Sequence, residues 1–279
     1  MQSLKELYKI GRGPSSSHTI GPERASKLMK SRWPDADKFV VILYGSLALT
    51  GKGHNTDVVI KKTLAPFNCE VIFDTTTPCP VHPNTMDIEA VKDGKVLAKT
   101  RFYSIGGGTI RIEGKPDANT GIDDTVYPLS TFDEITAYCN EKGIRLWQYS
   151  LECEGEEIFD YLEKVWNQMK ASIREGLATT GVLPGCLGTQ RRAHHLFTQH
   201  HIDESAQTRE NRLVCSYAFA VSEQNASGGV IVTAPTCGSS GVVPSVLYYM
   251  QQTRGFSDEQ IVHALAAGGI IGNVIKTNA

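Results

Sequence analysis

No stretch of this 279-residue chain approaches the roughly 18 to 20 consecutive apolar residues that span a bilayer, so no membrane partner is expected. A basic excess is also missing. Lys and Arg number 28 against 30 Asp and Glu, a formal net charge of −2, and no basic stripe offsets that balance. A nucleic-acid partner is therefore not expected, because phosphate binding draws on clustered positive charge. The seven cysteines (69, 79, 139, 153, 186, 215 and 237) form no CxxC pair and are odd in number. That usage suggests neither a disulfide framework nor a local metal knuckle, and it points to a reducing cytoplasm. The first residues, Met1 to Lys9, have helical charge spacing and lack the apolar stretch of a secretion signal. Internal repeats and low-complexity linkers are absent.

What is there is a globular chain: 41% hydrophobic and 21% charged residues exclude disorder and fibrous classes. Its length predicts two domains at about 150 residues each. In the first half, Phe39 to Tyr44 is a short apolar run halted by Gly45, a buried strand. Met86 to Lys92 alternates apolar and polar residues, Asp93-Gly94 signals a type I′ turn, and Lys95 to Tyr103 returns as the second arm of a hairpin. Thr131 with Glu134 is a capping-box signature for a helix that Gly143 ends. Beyond about residue 155 the period becomes helical. Ile158, Leu162, Val165, Trp166, Met169 and Ile173 form one apolar face closed by Gly176, and Leu213, Val214, Tyr217, Ala218 and Val221 repeat it. Another such face, including Ile261, Leu265, Ile270 and Val274, follows a Ser257 N-cap. The expected architecture is an α+β domain over 1–153 followed by a mostly α-helical domain over 154–279.

The strongest chemical signal is Gly13-Pro14-Ser15-Ser16-Ser17-His18-Thr19, just ahead of a helix. Hydroxyls, an imidazole and a helix N-terminus together suit a carboxylate or phosphate, and they exceed what a helix cap requires. Tyr44 through Asp57 is the second, where glycines allow close backbone approach and Lys52, His54, Asn55 and Thr56 present polar groups. It is not a Walker A loop. His54 has the pKa range of a general acid or base. Gly106-Gly107-Gly108 reads either as a ligand-adjacent loop or as a strand bulge. The break from Ser227 to Gly241, with Thr236 and Cys237, concentrates glycines and hydroxyls, but no partner base marks Cys237 as a nucleophile. His194, His195, His200 and His201 read as a solvated surface rather than a metal site, since no carboxylate stands at ligand spacing. An enzyme acting on a small carboxylate and a domain sensing one are both open on these residues.

These segments resemble the bacterial iron–sulfur L-serine dehydratases. The likeness runs through Gly-Pro-Ser-Ser-Ser-His-Thr at 13–19, Tyr-Gly-Ser-Leu-Ala-Leu-Thr-Gly-Lys-Gly-His-Asn-Thr-Asp at 44–57 and His82-Pro83-Asn84-Thr85-Met86. It continues through Tyr103 to Gly108, Gly181-Val182-Leu183-Pro184-Gly185, Thr233 to Thr236 and Gly241 to Pro244. The resemblance implies a small α+β domain, similar to allosteric serine-binding domains, ahead of a helical catalytic domain. It implies β-elimination of water from L-serine to give pyruvate and ammonia, with a 4Fe-4S cluster activating the hydroxyl and no pyridoxal phosphate. Substrate contacts then fall to Ser15, Ser16, Ser17, His18, Thr19, Lys52, Asn55 and Thr236, and proton transfer to His54 and Thr56. No metal ligand is expected among the residues present, because the cysteines do not match the family's cluster positions. The family pattern also continues past Lys276-Thr277-Asn278-Ala279, so the expectation is a truncated helical domain or a further portion on a separate chain. A homodimer is the expected assembly, and non-catalytic serine sensing is the alternative role.

Overall fold

The computed structural model describes residues 1–119, 125–185, 187–199 and 202–278, with backbone alone over 115–119. In chain order the strands and helices are β1 (Ile10–Arg12), α1 (Gly21–Arg32), β2 (Lys38–Tyr44), α2 (Gly45–Thr50), α3 (Thr56–Leu64), β3 (Asn68–Asp74), β4 (Thr85–Lys92), β5 (Lys95–Gly106), β6 (Thr109–Ile112) and β7 (Lys115–Asn119). They continue as α4 (Phe132–Lys142), α5 (Leu146–Glu154), α6 (Glu157–Ala178), α7 (Ala193–Thr198), α8 (Ala206–Ala226), β8 (Val230–Val232), α9 (Val242–Arg254) and α10 (Asp258–Asn278). The chain divides into two compact units. One is the segment Arg12–Asp123; the other joins Met1–Gly11 to Asp124–Ala279.

The first unit is a six-stranded sheet in the order β3-β2-β4-β5-β6-β7, with α1 and α3 packed on it. Strands β2 and β3 run parallel and the remaining neighbours antiparallel. The hairpin turn forms where expected, with Asp93 and Gly94 both at positive φ. Its first arm, however, is not half-solvated. Asp87 is fully buried, gripped by Arg101 through bonds of 2.7 and 2.9 Å and by the Tyr44 hydroxyl at 3.0 Å. Alternation in sequence could not distinguish that paired, buried carboxylate from a solvent-facing one. The core joins Phe39, Val41 and Leu43 of β2 to Met29 of α1 and Ile60 and Leu64 of α3.

The second unit is mostly helical, and its boundaries correct the expected ones. The division falls at residues 11 and 124 rather than near Cys153–Glu156. Two packing facts explain this. Ile135 and Cys139 of α4 belong to the helical core, and so do Leu4, Leu7 and Tyr8 from the chain start. The latter segment is a strap with only a 3₁₀ turn at Leu4–Glu6, not a full helix. It lies along α10, where Tyr8 donates its hydroxyl to the Leu265 carbonyl at 3.1 Å and Asn273 Nδ2 donates to the Gln2 carbonyl at 2.7 Å. At the strap's end, Thr233 N–H donates to the Lys9 carbonyl at 2.9 Å, and the Thr233 hydroxyl to the Leu7 carbonyl at 2.8 Å.

The capping box read at Thr131 forms, and the N-cap read at Ser257 is part of a second box with Gln260. Thr131 and Glu134 exchange bonds at the start of α4, and Ser257 and Gln260 at the start of α10. Gly176 differs from expectation, because it does not end its helix. It sits inside α6, where an added Cβ would fall 2.3 Å from the Ala220 carbonyl oxygen of α8. The absent side chain is what lets these two helices cross so closely. A Gly176→Ala change gains about 1 kcal/mol of helix propensity. Backbone-to-backbone crowding costs more, so a net loss of about 1 to 3 kcal/mol is expected. Urea unfolding checks it, and a variant as stable as the parent contradicts this packing.

Candidate active site

The Ser15–Thr19 segment folds as a single π-helical turn, Ser16–Ile20, leading directly into α1. Two reciprocal contacts hold it. The Ser15 hydroxyl accepts the His18 N–H at 3.2 Å, while Thr19 N–H and Ile20 N–H both donate to the Ser15 carbonyl. The Thr19 hydroxyl accepts from Ser15 N–H at 3.3 Å and donates to the Arg12 carbonyl at 2.8 Å. From β5, the Ser104 hydroxyl donates to the Ser17 carbonyl at 2.8 Å. Not every hydroxyl of this run is therefore directed to a ligand. Ser15 and Thr19 shape the turn, Ser16 is buried, and Ser17 and His18 are half-buried.

The second segment reaches the first through side chains of Ser46, Thr50, His54 and Thr56. Gly45 takes φ +50°, and any Cβ there would lie 2.5 Å from the Pro83 carbonyl oxygen. Ser46 N–H donates to that same carbonyl at 2.8 Å, which ties the start of α2 to the loop before β4. The Ser46 and Thr50 hydroxyl oxygens then lie 3.1 and 3.0 Å from His18 Nε2, and Ser15 Oγ lies 3.3 Å from His18 Nδ1. The chain next turns through 51–55 into α3. The His54 ring stacks on the His18 ring with centroids 4.5 Å apart and planes 28° apart. Nδ1 of His54 lies 2.9 Å from the Thr50 carbonyl. Thr56, fully buried, donates its hydroxyl to the His18 carbonyl at 2.7 Å.

Burial lowers the proton affinity of His18 below the usual histidine value, and charge on the neighbouring His54 lowers it further, against a smaller opposing effect of Ser46. His82, beside these segments in sequence resemblance, has its Nδ1 occupied by Asn84 N–H at 3.0 Å; burial, then Arg111, lowers its pKa too.

Ser15, Ser17, His18, His54 and Thr56 thus come together within one unit. Lys52 is exposed, with its ammonium 5.4 Å from the Phe73 ring centre, and Asn55 is exposed in a left-handed backbone conformation before α3. Thr236 belongs to the helical unit, where its hydroxyl pairs with Ser239 at 3.0 Å. Ser46, Thr50 and Ser104 are contributors that sequence reading did not single out. Serines and threonines are ordinary in capping positions, so only the fold reveals that two of them converge on one imidazole nitrogen. Gly106 ends β5 and Gly107-Gly108 turn the chain into β6, all three at positive φ, with a register irregularity between Ser104 and Gly106.

Among the described residues, no three His, Cys, Asp or Glu side chains cluster so as to hold a metal ion. Cys237 is buried, and burial pushes its thiol up to about 12, which leaves it protonated at neutral pH. His194 Nδ1 lies 2.8 Å from the Leu177 carbonyl, and His195 is exposed; Cys186, His200, His201 and Ala279 lie outside the described residues. The described cysteines, Cys69, Cys79, Cys139, Cys153, Cys215 and Cys237, are free thiols and do not converge to supply the thiolates of an iron–sulfur cluster. None of the described helices is long and apolar enough to cross a membrane.

A family model for the serine dehydratase alpha chain matches residues 54–279, and one for the serine dehydratase beta chain matches residues 3–70. The chain is 34% identical to an L-serine dehydratase of Haemophilus influenzae, with all of this chain aligned to 73% of that one. It is 35% identical to L-serine dehydratase 1 of Escherichia coli, again over all of this chain and 73% of the relative. With an L-serine dehydratase of Streptomyces coelicolor the identity is 32%, over 99% of this chain and 72% of the other. The chain, whose π turn and stacked histidines carry the motifs read from its sequence, belongs to the serine dehydratase family.

Proposed function

We propose that this protein eliminates water from L-serine, giving aminoacrylate that tautomerises to an imine and hydrolyses to pyruvate and ammonia. The observation that carries the reading is the stacked His18–His54 pair on a hydroxyl-rich turn. In this reading the carboxylate of serine is received at the π turn by Ser17, at the N-terminal approach to α1, and His18 is the ring on which His54 stacks. His54, only half-buried and adjacent to that turn, removes the α-proton. Thr56 acts as a brace, since its hydroxyl is already given to the His18 carbonyl. Ser15, Ser16 and Thr19 support the turn from beneath, while Lys52 and Asn55 lie at its exposed rim.

Family resemblance implies a 4Fe-4S cluster to activate the serine hydroxyl. The described residues do not fit that group, and their own work in this reading is confined to substrate binding and proton transfer. Free, scattered thiols support a reducing, cytoplasmic setting.

Two expectations follow from the roles assigned here. Replacing Ser17 with Ala should weaken L-serine binding by about 10- to 150-fold, the worth of one charge-assisted hydrogen bond. Calorimetric titration reads this directly, and unchanged affinity in the folded variant returns the turn to a plain structural role. Replacing His54 with Ala should lower kcat for pyruvate formation by about 10²- to 10⁴-fold, with a smaller change in KM. A kcat within about threefold of the parent contradicts the assignment of the base. Tight serine binding with no pyruvate formed by the parent protein would favour the sensing role instead.

A further inference from the structure

Thr50 touches both imidazoles of the stacked pair, and through two chemically different atoms. Its carbonyl oxygen lies 2.9 Å from His54 Nδ1. A carbonyl accepts and never donates, so Nδ1 must carry the hydrogen there, and in neutral His54 the lone pair is left on Nε2. The same carbonyl accepts the His54 backbone N–H at 3.2 Å, which fixes the ring's origin as well as its tilt.

The Thr50 hydroxyl works in the opposite sense on His18. Its single proton goes to the Ser46 carbonyl at 2.9 Å. What then faces His18 Nε2 at 3.0 Å is an oxygen lone pair, so Nε2 is the donor. The Ser46 hydroxyl oxygen lies 3.1 Å from the same nitrogen and supplies a second acceptor. On the other side of the ring, the Ser15 oxygen already accepts the His18 backbone N–H, which leaves its proton for Nδ1 at 3.3 Å. His18 is thereby satisfied as a neutral ring protonated at Nε2.

We infer that Thr50 is a positioning residue that sets opposite tautomers on His18 and His54, leaving the lone pair of His54 Nε2 as the acceptor of the substrate α-proton. The inference rests on the serine dehydratase reading for its last clause only. With rings 4.5 Å apart, two imidazolium charges would repel strongly. A neutral His18, its nitrogens already engaged, leaves the uptake of a proton to His54. Burial of His18 acts in the same direction.

Ring-nitrogen NMR of the protein labelled with ¹⁵N-histidine, together with pyruvate formation from L-serine, tests the inference in Thr50→Val and Thr50→Ser. In the parent, His54 should show a protonated Nδ1 and bare Nε2, and His18 the reverse. Thr50→Val removes the hydroxyl and keeps the carbonyl. It should leave the His54 pattern intact, mix the two neutral forms of His18, and lower kcat by about three- to tenfold, as for one neutral hydrogen bond, with KM changed less. Thr50→Ser, which retains the hydroxyl, should restore both the spectrum and kcat. Circular dichroism confirms that each variant is folded. A parent spectrum with His54 bare at Nδ1, or a Thr50→Val spectrum with His18 unaltered, overturns the inference. Correct tautomers in a parent that forms no pyruvate would overturn the functional reading and leave the positioning role standing.

Discussion

The hydrogen bond from Thr56 to the His18 carbonyl ties together the two motifs on which the candidate site depends, beside the contacts of Ser46 and Thr50 with the His18 ring. The Thr56 hydroxyl, with no solvent exposure, donates to the His18 carbonyl at 2.7 Å. Thr56 supplies that donor from the first residue of α3. Ser104 does the same for the Ser17 carbonyl from β5. Side chains from two other elements therefore satisfy consecutive carbonyls of one turn. His54, two residues before Thr56, has little freedom except to lie over His18.

The helical unit is organised by a different constraint, the closeness of backbones. Gly176 lets α6 approach the Ala220 carbonyl of α8, and Gly269 of α10 admits the side chains of Leu4 and Tyr8. Apolar burial supplies the driving force: Trp166, Leu162 and Leu265 are fully buried in the same core that takes in the chain start.

Much of this was legible in sequence, and the limits have physical causes. The capping box at Thr131, the N-cap at Ser257, the Asp93-Gly94 turn and the strand run from Phe39 to Tyr44 depend on local chemistry and are legible locally. The domain boundary depended on where Leu4, Tyr8 and Ile135 bury their side chains, which no window of neighbouring residues reveals. Gly176 was misread for the same reason: a glycine that ends a helix and one that admits a neighbouring helix look identical in sequence. At the site, the motifs at 13–19 and 44–57 stood out by composition. The roles within them did not, because Ser15, Thr19 and Thr56 spend their hydroxyls on backbone, while Thr50 serves the imidazoles.

The central claim is that the π turn and the His54 loop form one L-serine site. Titrating L-serine into the protein while following the ring resonances of His18 and His54 tests it most directly, with D-serine as the stereochemical control. The account predicts that both rings shift together, saturate at the same serine concentration, and respond far less to the D-enantiomer. Saturable binding of L-serine that moves neither ring would contradict it.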